Sequence, residues 1–222
     1  MTIAERRAGV ANGMDKICTY CDNLADTVDH IPPRALIRSN GDFELLKVPS
    51  CSKCNREFSV VDEIARDFIA SELRNERHPL VMEVIGPARS RAWKRSPGKA
   101  ARMAAVSVVV PVGGGHYAPA YDMECPEMRT FMRRMMIALA YTEFGVRIPA
   151  NYVGWDTAES WAHERMGDPT GYYRNGKLRT LGGEIFQYQG DYSSRTQRTF
   201  WWMRFFGGME LYVWWGPNYN VN

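Results

Sequence analysis

Two pairs of cysteines at CxxC spacing, Cys18/Cys21 and Cys51/Cys54, are the residues of this chain whose types and spacing most directly imply chemistry. Four thiolates arranged in two such pairs hold one Zn²⁺ tetrahedrally, each pair folding into a tight knuckle whose backbone N–H groups face the sulfurs. The cysteine count of five is odd and leaves Cys125 over, which is metal spacing and not disulfide spacing. A thioredoxin-like redox pair would need only one CxxC, in a strand–helix context that this region lacks. A shell filled by four sulfurs leaves no coordination position for a substrate, so this zinc is structural and any reaction belongs to other side chains. Cys125, directly before Pro126, is expected to cap or pack at a helix start.

Between the two pairs lies Thr27-Val28-Asp29-His30-Ile31-Pro32-Pro33, and Asn55 directly follows Cys54. Taken singly these residues have ordinary readings: an Asp bonding a turn, a His packed against a knuckle, an Asn capping a helix. Taken together, Cys18-Thr19-Tyr20-Cys21, Val28-Asp29-His30-Ile31-Pro32 and Cys51-Ser52-Lys53-Cys54-Asn55 resemble the HNH (His-Me finger) endonuclease family. The resemblance is strongest over residues 16–65, where Val48-Pro49-Ser50-Cys51 and Phe58-Ser59-Val60-Val61-Asp62-Glu63 look like a bacterial subgroup of that family, and it extends to Phe144–Pro149. It implies a zinc-bound ββα-metal module, with His30 at a strand end and Asn55 at a helix start around one divalent ion, that hydrolyses DNA phosphodiester bonds.

The residue chemistry suits that implication. Cleaving a phosphodiester needs a base for the attacking water and a cation for the developing negative charge. His30, mostly neutral at cytosolic pH, can be the base. Asp29 and Asn55 offer hard oxygen ligands suited to catalytic Mg²⁺ or Mn²⁺. Adjacent strand residues point to opposite sides, so Asp29 and His30 must sit where the strand bends if both are to face one phosphate.

Two positions depart from the family's pattern. Glu44 stands where the family commonly carries an Asn that braces the loop and the histidine; Asn40, a few residues earlier, is the candidate replacement. Glu44 either accepts a hydrogen bond from His30 and raises its basicity, or repels the phosphate. Phe58 stands where the family often carries a Lys, which leaves Lys53 and Arg56 as phosphate contacts. Arg34 and Arg38 are candidates for contacts near the scissile phosphate.

Charge points the same way. The chain carries 28 Lys+Arg against 25 Asp+Glu, a net +3 too mild by itself to imply a polyanion partner. From Val84 to Tyr121, however, there is no acidic residue, while Arg89, Arg91, Lys94, Arg95, Lys99 and Arg102 crowd around Trp93. This stretch suits a phosphate backbone, the plain alternative being a solvated face. Gly113-Gly114-Gly115 lacks the Gly-Lys-Ser/Thr ending of a phosphate loop and reads as a turn, so no nucleotide cofactor is expected. His78, His116 and His163 have no metal-ligand spacing.

The elements that must position these groups are legible from periodicity. Phe58, Val61, Ile64, Ala65, Phe68, Ile69 and Leu73 predict a long helix starting at the second knuckle. Met128, Phe131, Met132, Met135, Met136, Leu139 and Ala140 predict another, opened by Pro126, stopped by Gly145 and filling the core. Asp156-Thr157-Ala158-Glu159 reads as a capping box opening a short helix through Ala162. Strands are expected at about 184–189, 199–205 and 209–215, the last two joined as a hairpin at Gly207-Gly208. The expected organisation is a loose tail over 1–15, a zinc-stapled module over 16–75 and a mixed helical and antiparallel-β region over 76–222, an α+β protein.

At 222 residues and 45% hydrophobic content, the chain has material for a sizeable core. Its most apolar stretch, Ala104–Val112, is far shorter than the roughly 20 residues of a membrane helix. No secretory signal pattern follows Arg6 and Arg7, so a cytoplasmic protein is expected. The expected partner is DNA, with a homodimer allowed. The alternative to an endonuclease is a catalytically silent zinc-stapled module that binds nucleic acid or protein.

Overall fold

The computed structural model describes residues 17–37, 44–72, 74–149, 153–158 and 176–217. The tail over 1–15, Arg38, Asn40, Leu73, residues 159–162 and His163 lie outside the described residues.

Strands β1 (Thr27–Ile31) and β2 (Leu46–Ser50) form an antiparallel pair in the register Thr27↔Ser50 through Ile31↔Leu46. Helix α1 (Ser52–Ser71) follows at once, as the periodicity predicts, and buries Ile64, Ala65, Phe68 and Ile69. Its first turn holds no acidic residue; Asp26 instead caps it across the fold, accepting from the Ser52 N–H at 2.6 Å and the Ser52 hydroxyl at 2.8 Å. These two bonds to the charged carboxylate hold Asp26 below its usual pKa.

A π-helical turn over Val81–Ile85 leads into α2 (Gly86–Arg95) and α3 (Pro97–Ala105), each with a proline in its first turn. The acid-free stretch then continues as an antiparallel hairpin, β3 (Ser107–Gly113) and β4 (His116–Tyr121). Gly113, Gly114 and Gly115 all have φ between 58° and 95°, the left-handed backbone that makes a glycine turn there.

Helix α4 (Pro126–Phe144) ends on Gly145 at φ 71°, whose N–H caps carbonyls of the last turn. Its methionines are core: Met128, Met132, Met135 and Met136 are all fully buried, with Phe131 and Leu139 among them. Cys125 sits at its N-cap position, buried, its side chain making no cap bond and its thiol pushed up by burial.

An antiparallel five-stranded sheet completes the described fold in the order β5-β9-β8-β7-β6, from β5 (Val153–Ala158), β6 (Arg179–Leu181), β7 (Phe186–Ser193), β8 (Arg198–Phe205) and β9 (Met209–Gly216). The three expected strands are present, and Phe206 and Gly207, at φ 52° and 71°, turn β8 into β9. The capping-box reading at Asp156 is corrected: Asp156 and Thr157 lie in β5, paired with Val213 and Tyr212 of β9. A ladder of sheet hydrogen bonds outweighs a four-residue helix-start signal.

One apolar cluster runs from Ile31 and Val48 on the hairpin, through Ile64 and Phe68 of α1 and the face of α4, to Phe205, Leu211 and Trp215 of the sheet. The architecture is therefore α+β, with α4 between the cysteine-bearing hairpin–helix unit and the C-terminal sheet. Among the described residues no helix is long and apolar enough to cross a membrane.

Candidate functional site

The knuckles converge. The sulfurs of Cys18, Cys21, Cys51 and Cys54 lie within 4.8 Å of one another, with Cys21 at 3.7 Å from Cys51 and 3.6 Å from Cys54. A tetrahedral zinc with Zn–S bonds of about 2.3 Å requires S···S edges of about 3.8 Å, so the four side chains fit that ion. Backbone N–H groups turn toward sulfur as expected of knuckles, Tyr20 to Cys18 at 3.4 Å and Cys54 to Cys51 at 3.5 Å. The Cys54 N–H draws the Cys51 thiol down to about 7, whereas burial and the neighbouring sulfurs push Cys54 far up. Four such thiols ionise together only around a cation, which is what a metal such as zinc supplies. Arg147, just beyond α4, ties into the first knuckle through the carbonyls of Cys18 and Cys21 and the Asp22 carboxylate.

The knuckles place β1 against the start of α1, and the strand alternates regularly. Thr27, Asp29 and Ile31 face inward while Val28 and His30 face outward. Asp29 is 3% exposed. Its Oδ1 accepts from Arg134 Nη2 and from the His30 N–H at 2.8 Å; its Oδ2 accepts from Arg134 Nε at 2.8 Å and from the Tyr20 hydroxyl. A carboxylate offers about four lone-pair positions, and all four are taken. The Asp29 carboxylate expected to ligate a catalytic Mg²⁺ or Mn²⁺ thus has both oxygens engaged by protein donors in this geometry.

His30 sits opposite Lys47 of β2, half-buried, with Nε2 3.0 Å from Arg34 Nη2. A guanidinium only donates, so Nε2 is the acceptor and the ring is the neutral tautomer protonated on Nδ1. Burial lowers the His30 pKa, and the nearby charges of Arg34, Lys47 and Arg134 lower it further against the pull of Asp29. Asn55, in the first turn of α1, donates to the Thr27 hydroxyl and the Val28 carbonyl at 3.5 Å each, so its amide lies along the same strand. Lys53 and Arg56 project from that turn into solvent.

Glu44 does not brace the histidine. It is largely exposed and pairs at 3.6 Å with Lys47, a solvent-exposed ion pair worth little, in place of the hydrogen bond suggested for it on His30. Phe58 stacks edge-on with Tyr20, ring centroids 4.9 Å apart, and lies beneath the Arg134 guanidinium at 4.7 Å.

The basic stretch divides into two populations. Arg89 is spent inside the fold, donating to the Ser71 hydroxyl and the Asp67 carbonyl and lying 5.2 Å over Trp93. Lys99 pairs with Glu63 of α1. Arg91, Lys94 and Arg95 are exposed at i, i+3 and i+4 of α2, one helical face, and Arg102 is exposed on α3.

Sequence reasoning missed Tyr20, Asp62 and Arg134. Arg134 is 1% exposed and also donates to Asp62, which burial pushes up to about 7 while Arg134 pulls it down. An arginine inside the apolar stripe of α4 is the signal that could have found the network, since a buried guanidinium demands carboxylates. Comparison with known families, curated proteins and solved structures finds no family model, protein or structure that matches this chain.

Proposed function

We propose that the chain is a nucleic-acid phosphodiesterase of the HNH type, with His30 as general base on a zinc-pinned hairpin–helix unit. The observation that carries the reading is the His30 imidazole itself, kept neutral and turned outward, with its Nε2 3.0 Å from the Arg34 guanidinium and Lys47 across the strand pair. A base must be unprotonated at working pH, and an anionic substrate must meet positive charge; both conditions hold at this one side chain.

In the proposed reaction the substrate phosphate approaches Arg34 and Lys47. His30 Nε2 turns from Arg34 to a water, takes its proton, and the hydroxide formed attacks phosphorus in line as the opposite P–O bond breaks, the departing oxygen taking a proton from solvent water to leave as the alcohol. Arg34 meets the charge developing on the phosphoryl oxygens. The Asn55 amide stands beside the strand as a hydrogen-bonding group for the same phosphate. No step runs through a divalent ion at Asp29, because that carboxylate is filled. The exposed row Arg91, Lys94 and Arg95 suits a DNA backbone extending beyond the cleaved bond.

One observation favours the second reading, a silent zinc-stapled binding module: the full satisfaction of Asp29 by protein groups, which removes a metal ligand from the family pattern. Incubating the zinc-loaded protein with supercoiled plasmid, with and without added Mg²⁺ or Mn²⁺, separates the two. The nuclease reading expects relaxed or linear DNA, and a loss of about 10²-fold or more in His30→Ala. Equal cleavage by a folded His30→Ala protein removes the base; salt-sensitive binding with no cleavage by any form establishes the silent module.

A further inference from the structure

The disagreement between the expected metal ligand and the observed one has its own chemistry. Asp29 on β1, Asp62 on α1 and Arg134 on α4 meet in the interior, 105 and 72 residues of chain separating the arginine from its two partners. Their side chains are 4%, 12% and 1% exposed. The planar guanidinium offers one edge, Nε and Nη2, to both oxygens of Asp29 and its remaining nitrogen, Nη1, to Asp62, while Phe58 covers its face at 4.7 Å. Tyr20 donates to Asp29 from the zinc loop.

Two buried carboxylates that share one cation are also, by charge and oxygen chemistry, a ligand pair that a small hard cation would seek. Here the cation is covalently part of the chain. A guanidinium stays charged at every accessible pH, and Asp29 and Asp62 hold this one above even its ordinary pKa despite the opposing effect of burial. It is also tethered, so a dissolved ion must displace a group that never leaves the site. We propose that Arg134 is the resident cation of this position and that Asp29 and Asp62 are thereby closed to divalent metal, so that the protein carries zinc at its cysteines but no Mg²⁺ or Mn²⁺ on β1. The triad also explains why Asp29 precedes His30. Its Oδ1 accepts the His30 N–H, so the guanidinium fixes the carboxylate and the carboxylate fixes the strand at the histidine.

The test uses Mn²⁺, whose paramagnetism reports its own binding and whose preference for oxygen keeps it from the thiolates. The zinc-loaded full-length protein is titrated with Mn²⁺ and followed by electron paramagnetic resonance, with zinc content measured alongside. Wild type is expected to show no Mn²⁺ binding that Asp29→Asn abolishes. Arg134→Met, which leaves two carboxylates facing each other, is expected to gain a site at least tenfold tighter than anything in wild type, with a melting temperature that rises with Mn²⁺. Adding Asp62→Asn should remove both gains. Arg134→Gln provides a second opening should the methionine variant fail to fold. Asp29-dependent Mn²⁺ binding by wild type overturns the proposal, as does a folded Arg134 variant that gains none. These readouts are independent of plasmid cleavage, so failure here and failure of the phosphodiesterase reading are separate results.

Discussion

Arg147 donates from one guanidinium nitrogen to the carbonyls of Cys18 at 3.1 Å and Cys21 at 2.8 Å, joining the chain just beyond α4 to the first cysteine knuckle. A zinc bound by four thiolates carries a net charge of about −2. A cation held on the carbonyls of the same loop offsets that charge and fixes the loop that presents the sulfurs. Arg147→Ala should therefore weaken zinc about tenfold or more, in the range of outer-shell substitutions. Competition against a chromophoric chelator measures it. An affinity equal to wild type would reduce Arg147 to a surface contact.

His30 ties activity to pH. Its pKa lies below 6.5 through burial and then Arg34, so cleavage by the proposed route should rise with pH below that value and be level by neutrality. Arg34→Ala removes a lowering influence, and the rising limb should move to higher pH, as should the His30 titration followed by proton NMR. A limb that stays put in Arg34→Ala would show that the guanidinium beside Nε2 does not tune the ring.

Asp62 ties stability to pH in the opposite sense to an ordinary paired carboxylate. Burial raises its folded pKa to about 7, against about 3.9 in an unfolded chain. The folded protein thus binds this proton more tightly. The stability from this group is fully present below about pH 4 and is lost as the pH climbs to about 7. Urea midpoints of wild type minus Asp62→Asn, compared at pH 5 and pH 8, should show wild type losing ground at the higher pH. Asp29→Asn, by contrast, strips the guanidinium of its bidentate partner and should cost on the order of 3 kcal/mol.

The two populations of the basic stretch should separate under mutation. Replacing Arg91, Lys94 and Arg95 by alanine should leave stability within about 0.5 kcal/mol. It should reduce the salt dependence of DNA affinity by about one unit of slope for each phosphate no longer neutralised. Arg89→Ala should instead destabilise by about 1.5 kcal/mol, since it removes hydrogen bonds to Ser71 and Asp67, and leave the salt slope unchanged. A salt slope that survives the triple substitution would place the nucleic acid elsewhere.

The residues that the sequence made legible share a local signal. CxxC is a motif of four residues, and the apolar spacing of α1 and α4 repeats within a single element, so the cysteine tetrad and both long helices follow from neighbours. Asp156 to Ala158 shows the limit of such signals. Three of the four residues that read as a helix start lie in β5, because a strand partner nearly 60 residues onward offered a full ladder. Arg89 and Lys99 show it again: within a run of like charges, nothing local distinguishes a side chain that meets Ser71 or Glu63 from one that meets water.

The sequence alone determined that four sulfurs would gather, that a helix would begin at the second pair, and that a histidine would stand on the strand between them. Only the tertiary structure decided what Asp29 does. A carboxylate beside a histidine is spelled the same way whether it faces a metal ion or a buried arginine. The arginine arrives from a helix 105 residues away, and a partner at that distance leaves no trace in the spacing around Asp29. What selects it is the demand of a buried charge for an opposite one, a condition that exists only once the chain has closed around it.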